Sequence, residues 1–184
     1  MLDLVAYDNA GRMIAGVIEL TGGRMADTLA AGGIIVARAV VIRDLVRDRS
    51  ERHDEMLLDT RRLRVVLGNG PRGSLLRRVA VLAMPATVHV EGYVVHGLLH
   101  APTPRNPLRE AAGRPWLPVT DAVLEHRPAG VTLRERYDVL LVNRSHAHAI
   151  VPIDARTHEA RWVAASDPVT LVDPARHGRI TRRA

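Results

Sequence analysis

The chain has 184 residues, 47% apolar and 25% charged, a balance that supports a packed core and argues against disorder. It has no cysteine, phenylalanine, lysine or glutamine, so all 26 basic side chains are arginines. Disulfide frameworks, cysteine zinc sites, thiol nucleophiles, Schiff-base lysines and P-loop lysines are therefore excluded. The net charge of +6 favours acidic partners at long range.

The N-terminal stretch MLDLVAYDNAGR carries acids where a signal peptide needs basic residues, and no apolar run reaches ~18 residues. A soluble, cytoplasmic protein without membrane contact is expected. Met13 to Leu20 reads as a strand interrupted by Gly16, since β-branched residues suit strands and an internal glycine suits a bend. A short helix is expected over 24–31, ending at Gly32-Gly33, and then a strand from Ile34 to Ile42. Acids Asp44, Asp48, Glu51, Asp54 and Glu55 interleave with Arg43, Arg47, Arg49 and Arg52, the pattern of a solvated, ion-paired helix or loop. Met56 to Leu67 closes this part as a strand or strand pair.

Gly68-Asn69-Gly70-Pro71-Arg72-Gly73 reads as a turn-rich linker. It also matches the glycine spacing of a dinucleotide fingerprint, but Pro71 and the lack of successive βαβ units favour the linker. Ser74 to Met84 fits a helix or a buried strand equally well. Tyr93 to Ala101 is a second glycine-interrupted strand, around Gly97. Asn106, Pro107 and Gly113 then stand where a helix over 107–112 needs its cap, first residue and stop. Strands follow at Trp116 to Leu124 and within Val139 to Ile153. The stretch Pro174 to Ala184, with four arginines and no acid, is expected to be mobile.

The second series repeats the first. Gly11 to Ile18 aligns with Gly92 to Leu99 at an offset of 81, which also pairs Arg24 with Arg105 and Ala30-Ala31-Gly32 with Ala111-Ala112-Gly113. An insertion around Pro115 to Pro118 changes the offset to 83, pairing Ala39-Val40 with Ala122-Val123 and Leu57-Leu58 with Leu140-Leu141. The expected fold is mainly β: two tandem small β-barrel-like modules, each with a short helix. Residues 1–68 form the first, 69–78 the junction, 79–160 the second and 161–184 a basic tail. Gly16, Gly97, Arg24 and Arg105 are structural positions in this reading.

The glycine-centred strands, the Arg24-x-x-Asp27-x-Leu29 segment, Trp116 to Ala122 and Val139 to Arg144 resemble a bacterial family of small β-barrel domains of unknown function. More distantly, Asp8-Asn9-Ala10-Gly11-Arg12 and Gly16 resemble the first motif of Sm-like barrels. The uridine-reading Asp-x-x-Asn loop and the Arg-Gly of the second Sm motif are not present, so RNA recognition does not carry over from that resemblance.

Three functions compete. A non-enzymatic binding or assembly module, joined to a protein partner or to itself, suits the repeat and the lack of catalytic motifs. None of the four serines lies in Gly-x-Ser-x-Gly, and no cofactor is implied. Nucleic-acid binding would use Arg61, Arg62, Arg64, Arg72, Arg77 and Arg78, which fall in the acid-free stretch from Thr60 to Val90. The same arginines could instead be held by carboxylates and carbonyls across the module interface, the outcome favoured here. Metal binding would use His96, His100, His146 and His148 if their strands pair; exposed imidazoles on a sheet face are the plainer reading.

Overall fold

A computed structural model describes residues 1–21, 23–68, 80–127 and 132–166. Ten strands form one antiparallel sheet. In chain order they are β1 (Leu2–Asp8), β2 (Arg12–Ile18), β3 (Ile34–Asp44), β4 (Arg49–Asp59), β5 (Leu63–Leu67), β6 (Val81–Val90), β7 (Tyr93–Pro102), β8 (Trp116–His126), β9 (Leu133–Asn143) and β10 (Ala147–Pro152). Helices α1 (Met25–Ala30) and α2 (Pro107–Ala112) follow β2 and β7, and α3 (Ala155–Ala164) follows β10. No described helix is long and apolar enough to cross a membrane.

Spatially the strands run β10-β6-β7-β8-β9-β5-β1-β2-β3-β4. The order β5-β1-β2-β3-β4 thus matches β10-β6-β7-β8-β9, element for element. Among the described residues no ladder joins β10 to β4, so the hydrogen-bonded sheet is open.

Local chemistry explains the strong bends. At Gly16 the β2–β3 register slips, and opposite it Ala39 takes a φ of 49°. The β7–β8 ladder slips at Gly97, and there Asp121 takes a φ of 44°. A Cβ on Gly16 would stand 3.0 Å from the Arg38 carbonyl oxygen, and one on Gly97 would stand 2.7 Å from that of Thr120. Both are bulges at which a strand backbone crosses close to its neighbour. In α2, Asn106 Oδ1 accepts from the Leu108 amide at 2.9 Å, Pro107 opens the helix and Gly113 closes it.

Several expectations need correction. The acidic-basic run is a loop only at Arg47 and Asp48, in the ion-paired turn between β3 and β4; residues 49–55 begin β4, which pairs with β3 as a long hairpin and is exposed along that stretch. Arg24 caps α1 and its carbonyl accepts from the Thr28 amide; the residue in that role in α2 is Asn106, not Arg105. Gly32 has a positive φ of 72°, whereas Gly113 is helical at −88°, so these two do not correspond either. Val40, paired with His53, corresponds to Ala122, paired with Tyr137, which shifts the aligned residues by one. One additional residue lies between Gly97 and Asn106 and two more in the β8–β9 connection, which is longer than the β3–β4 turn, and none around Pro115 to Pro118. Helix α3 also crosses the expected boundary between residues 160 and 161. Residues 69–79, holding most of the expected linker and Arg72, Arg77 and Arg78, lie outside the described residues, as does 174–184.

The apolar core forms two clusters, and the central strands feed both. Leu4, Ala6, Ile14, Ile18, Leu29 and Val66 pack with Trp116 and Leu141, which come from the later strands. Val88, Val95, Val119, Leu124 and Leu140 pack with Tyr7, Met13 and Val65 from the earlier ones.

Candidate functional site

The site begins with two short runs, Leu63-Arg64-Val65-Val66-Leu67, apolar but for its one arginine, and the wholly apolar Val139-Leu140-Leu141-Val142. Such runs suit strands covered on both faces. Here β5 and β9 pair antiparallel, Val65 opposite Val142, Val66 opposite Leu141 and Leu67 opposite Leu140. The Gly68 amide donates to the Val139 carbonyl at 3.0 Å and extends the ladder. A further bond locks the end: buried Asn143 donates through Nδ2 to the Leu63 carbonyl at 2.9 Å while its Oδ1 accepts from Ser145. This is the joint between the earlier and later strands.

A buried polar cluster flanks the joint. Tyr7 on β1 and Tyr137 on β9 share a hydroxyl–hydroxyl bond of 2.9 Å. Tyr137 donates to Glu135 Oε2 at 2.9 Å, and Tyr7 approaches the same oxygen at 3.4 Å. His126 Nε2 stands 3.6 Å from that carboxylate oxygen, beyond hydrogen-bond reach. Tyr93 packs edge-on to Tyr7 and donates to the Asp8 carbonyl at 2.9 Å. All three tyrosines of the chain converge here. Burial raises the Tyr7 and Tyr137 phenols above their usual range; the Glu135 charge raises both further, after the effect of Tyr7 in the case of Tyr137. Burial alone would raise Glu135, but the hydroxyls and the His126 imidazole hold it below the ordinary carboxylate value. The cluster is a neutral-phenol, ionised-carboxylate network at neutral pH.

Beside the joint is an open cavity of about 610 Å³, lined by the ends of α1 and α2, both turns after β4 and β9, and Trp116. Arg61, Arg114 and Arg144 face it. Arg61 is clamped by Asp59 at 2.9 Å and Arg114 by Glu110 at 3.0 Å. Arg144 donates to the Ala147 carbonyl at 3.2 Å, and its Nε is buried without a hydrogen-bond partner among the described residues.

The other basic candidates separate. Buried Arg64 pairs with Glu91 at 2.8 Å and also donates to the Arg61 and Arg62 carbonyls. Arg62 is exposed. The four candidate metal histidines are not brought together, because β6 lies between β7 and β10. His96 Nδ1 lies 2.9 Å from Thr87 Oγ1, His100 Nε2 lies 2.6 Å from Thr120 Oγ1, and His146 Nε2 lies 2.7 Å from the Arg61 carbonyl. His148 packs against His89, the rings tilted by 43° with centroids 5.9 Å apart. Among the described residues no group of three or more metal-ligating side chains converges.

Sequence reasoning missed Glu135, Tyr137 and Asn143. The repeated Glu-Arg-x-Asp run, Glu51 to Asp54 and Glu135 to Asp138, was the available signal. Comparison with protein-family models, curated proteins and solved structures found no match.

Proposed function

We propose that this chain is a non-enzymatic assembly module built from two five-stranded units, residues 2–67 and 81–152, that associates through the edges of its sheet. The observation that carries this reading is the β5–β9 joint, where each unit places side chains in the other's core. The polar groups there support it as well. Tyr7, Tyr137, Glu135 and Asn143 bond to one another, to Ser145 or to backbone, leaving no nucleophile–base pair among them poised toward a substrate. Arginines 61 and 64 are held by Asp59 and Glu91, which suits a structural rather than a phosphate-reading role.

RNA or DNA binding is the second reading, favoured by one observation: Arg144 faces the 610 Å³ cavity with no carboxylate partner among the described residues. Light scattering on nuclease-treated protein over a concentration series separates the two. A mass rising above that of one chain is expected. A constant single-chain mass, with salt-sensitive retention of single-stranded RNA lost in Arg144→Ala, would establish the second reading instead.

A further inference from the structure

Among the described residues the sheet ends on β4 and β10, each with one edge unpaired, and each corresponds to one half of the internal joint. β4 shares with β9 the Glu-Arg-x-Asp run, the pairing to the preceding strand and the closing turn, where Asp59 accepts from the Arg61 amide as Asn143 does from Ser145. β10 shares with β5 its register. Val65 pairs with Tyr7 and Val66 with Ala6, with a slip after Tyr7; Ala149 pairs with His89 and Ile150 with Val88, with a slip at the same step.

Resting on the assembly reading, we infer that the partner is a second copy of this chain, whose β10 adds antiparallel to β4. The register copies the internal joint: Val151 opposite Met56, Ile150 opposite Leu57 and Ala149 opposite Leu58.

The apolar surface supports this occupant. Leu57 is 68% exposed and Ile34 57%, whereas their counterparts at the joint, Leu141 and Trp116, are 4% and 6% exposed. The open edge therefore displays the side chains that the joint buries, beside the backbone donors and acceptors of an unpaired strand. On the incoming strand, Val151 is exposed and Ile150 half-buried. His89 takes the place of Tyr7, and would meet Glu51 and His53 where Tyr7 meets Glu135 and Tyr137.

The contact between chains is a weaker version of the joint. Pro152 stands where Gly68 donates an amide, Asp59 cannot donate as Asn143 does, and Ala147 and Ala149 replace Leu63 and Val65. Association is thus reversible and concentration-dependent. Because the two edges differ, the contact is head-to-tail, and it propagates until a ring closes or a filament forms.

Since the chain has no cysteine, the register can be read covalently. Met56→Cys with Val151→Cys puts the thiols directly opposite, at a spacing a disulfide spans. Mild oxidation should give a reducible ladder at integer multiples of the chain, absent from Asp54→Cys with Val151→Cys and from either single Val151→Cys or Met56→Cys beyond a dimer. Leu57→Arg, at an exposed position that leaves the fold intact, should weaken association about ten-fold or more. Concentration-dependent mass without the in-register ladder, unaffected by Leu57→Arg, would overturn this contact and leave the assembly reading standing. A single-chain mass at every concentration would overturn both.

Discussion

His96 shows how one buried side chain couples a helix to the sheet. Burial, reinforced by the Arg161 charge, lowers its pKa to about 4. Its Nδ1 faces Arg161 of α3 and Thr87 of β6, which fixes that nitrogen as an acceptor, while Nε2 lies 3.9 Å from Glu125. A lowered folded-state value means that the unfolded chain takes up the proton first. The contribution to stability is complete above about pH 6.5 and is lost as the pH falls toward 4. For a side chain this well covered, the ceiling is roughly 3 kcal/mol. Urea unfolding of wild type and His96→Gln should therefore show a stability difference that shrinks across this window; a difference independent of pH would show that His96 is not held neutral. The buried tyrosines act at the other limit. Their raised values mean that stability is complete below about pH 10 and declines above it, so tyrosinate absorbance should appear only with unfolding.

Among the elements, the two bulged strands were the most legible in the sequence, because a glycine inside a valine-rich run weakens the strand unless the backbone must bend or pass close to its neighbour there. They are not equally tight. A Cβ at position 97 would press on the Thr120 carbonyl at 2.7 Å and on the Val119 side chain, while one at position 16 meets its nearest backbone atom at 3.0 Å. Gly97→Ala should thus cost about 2–3 kcal/mol and Gly16→Ala about 1 kcal/mol, as overpacking against backbone generally does. Equal melting temperatures for the two variants would contradict this order. Helix α2 was legible from Asn106, Pro107 and Gly113, since capping is local chemistry. β4 was not. Its first seven residues carry the charges of a solvated edge and no apolar alternation, and only the ladder to β3 makes them a strand. The tyrosine cluster was equally hidden: Tyr7 and Tyr137 are 130 residues apart, and no spacing rule brings β1 within reach of β9.

At the scale of the molecule, the central question is what makes ten strands one sheet. The β5–β9 ladder is short, and side chains from each half complete the other half's core, so the joint rests on burial together with a few polar bonds. Asn143 is the most informative of these because its counterpart at the open edge is Asp59. Asn143→Asp keeps the oxygen that accepts from Ser145 but replaces the amide donor with a carboxylate oxygen facing the Leu63 carbonyl, out of water. The expected cost is at least about 1–3 kcal/mol, the range for a buried acceptor left without its donor, and more with the added charge. Protonation restores a donor, so the deficit should narrow on acidification, opposite in sign to the general loss of carboxylate interactions at low pH. Chemical unfolding of wild type and variant at pH 7 and near pH 4 tests this directly. A loss that stayed constant or grew toward low pH would mean that the Asn143–Leu63 bond does not hold the two halves together.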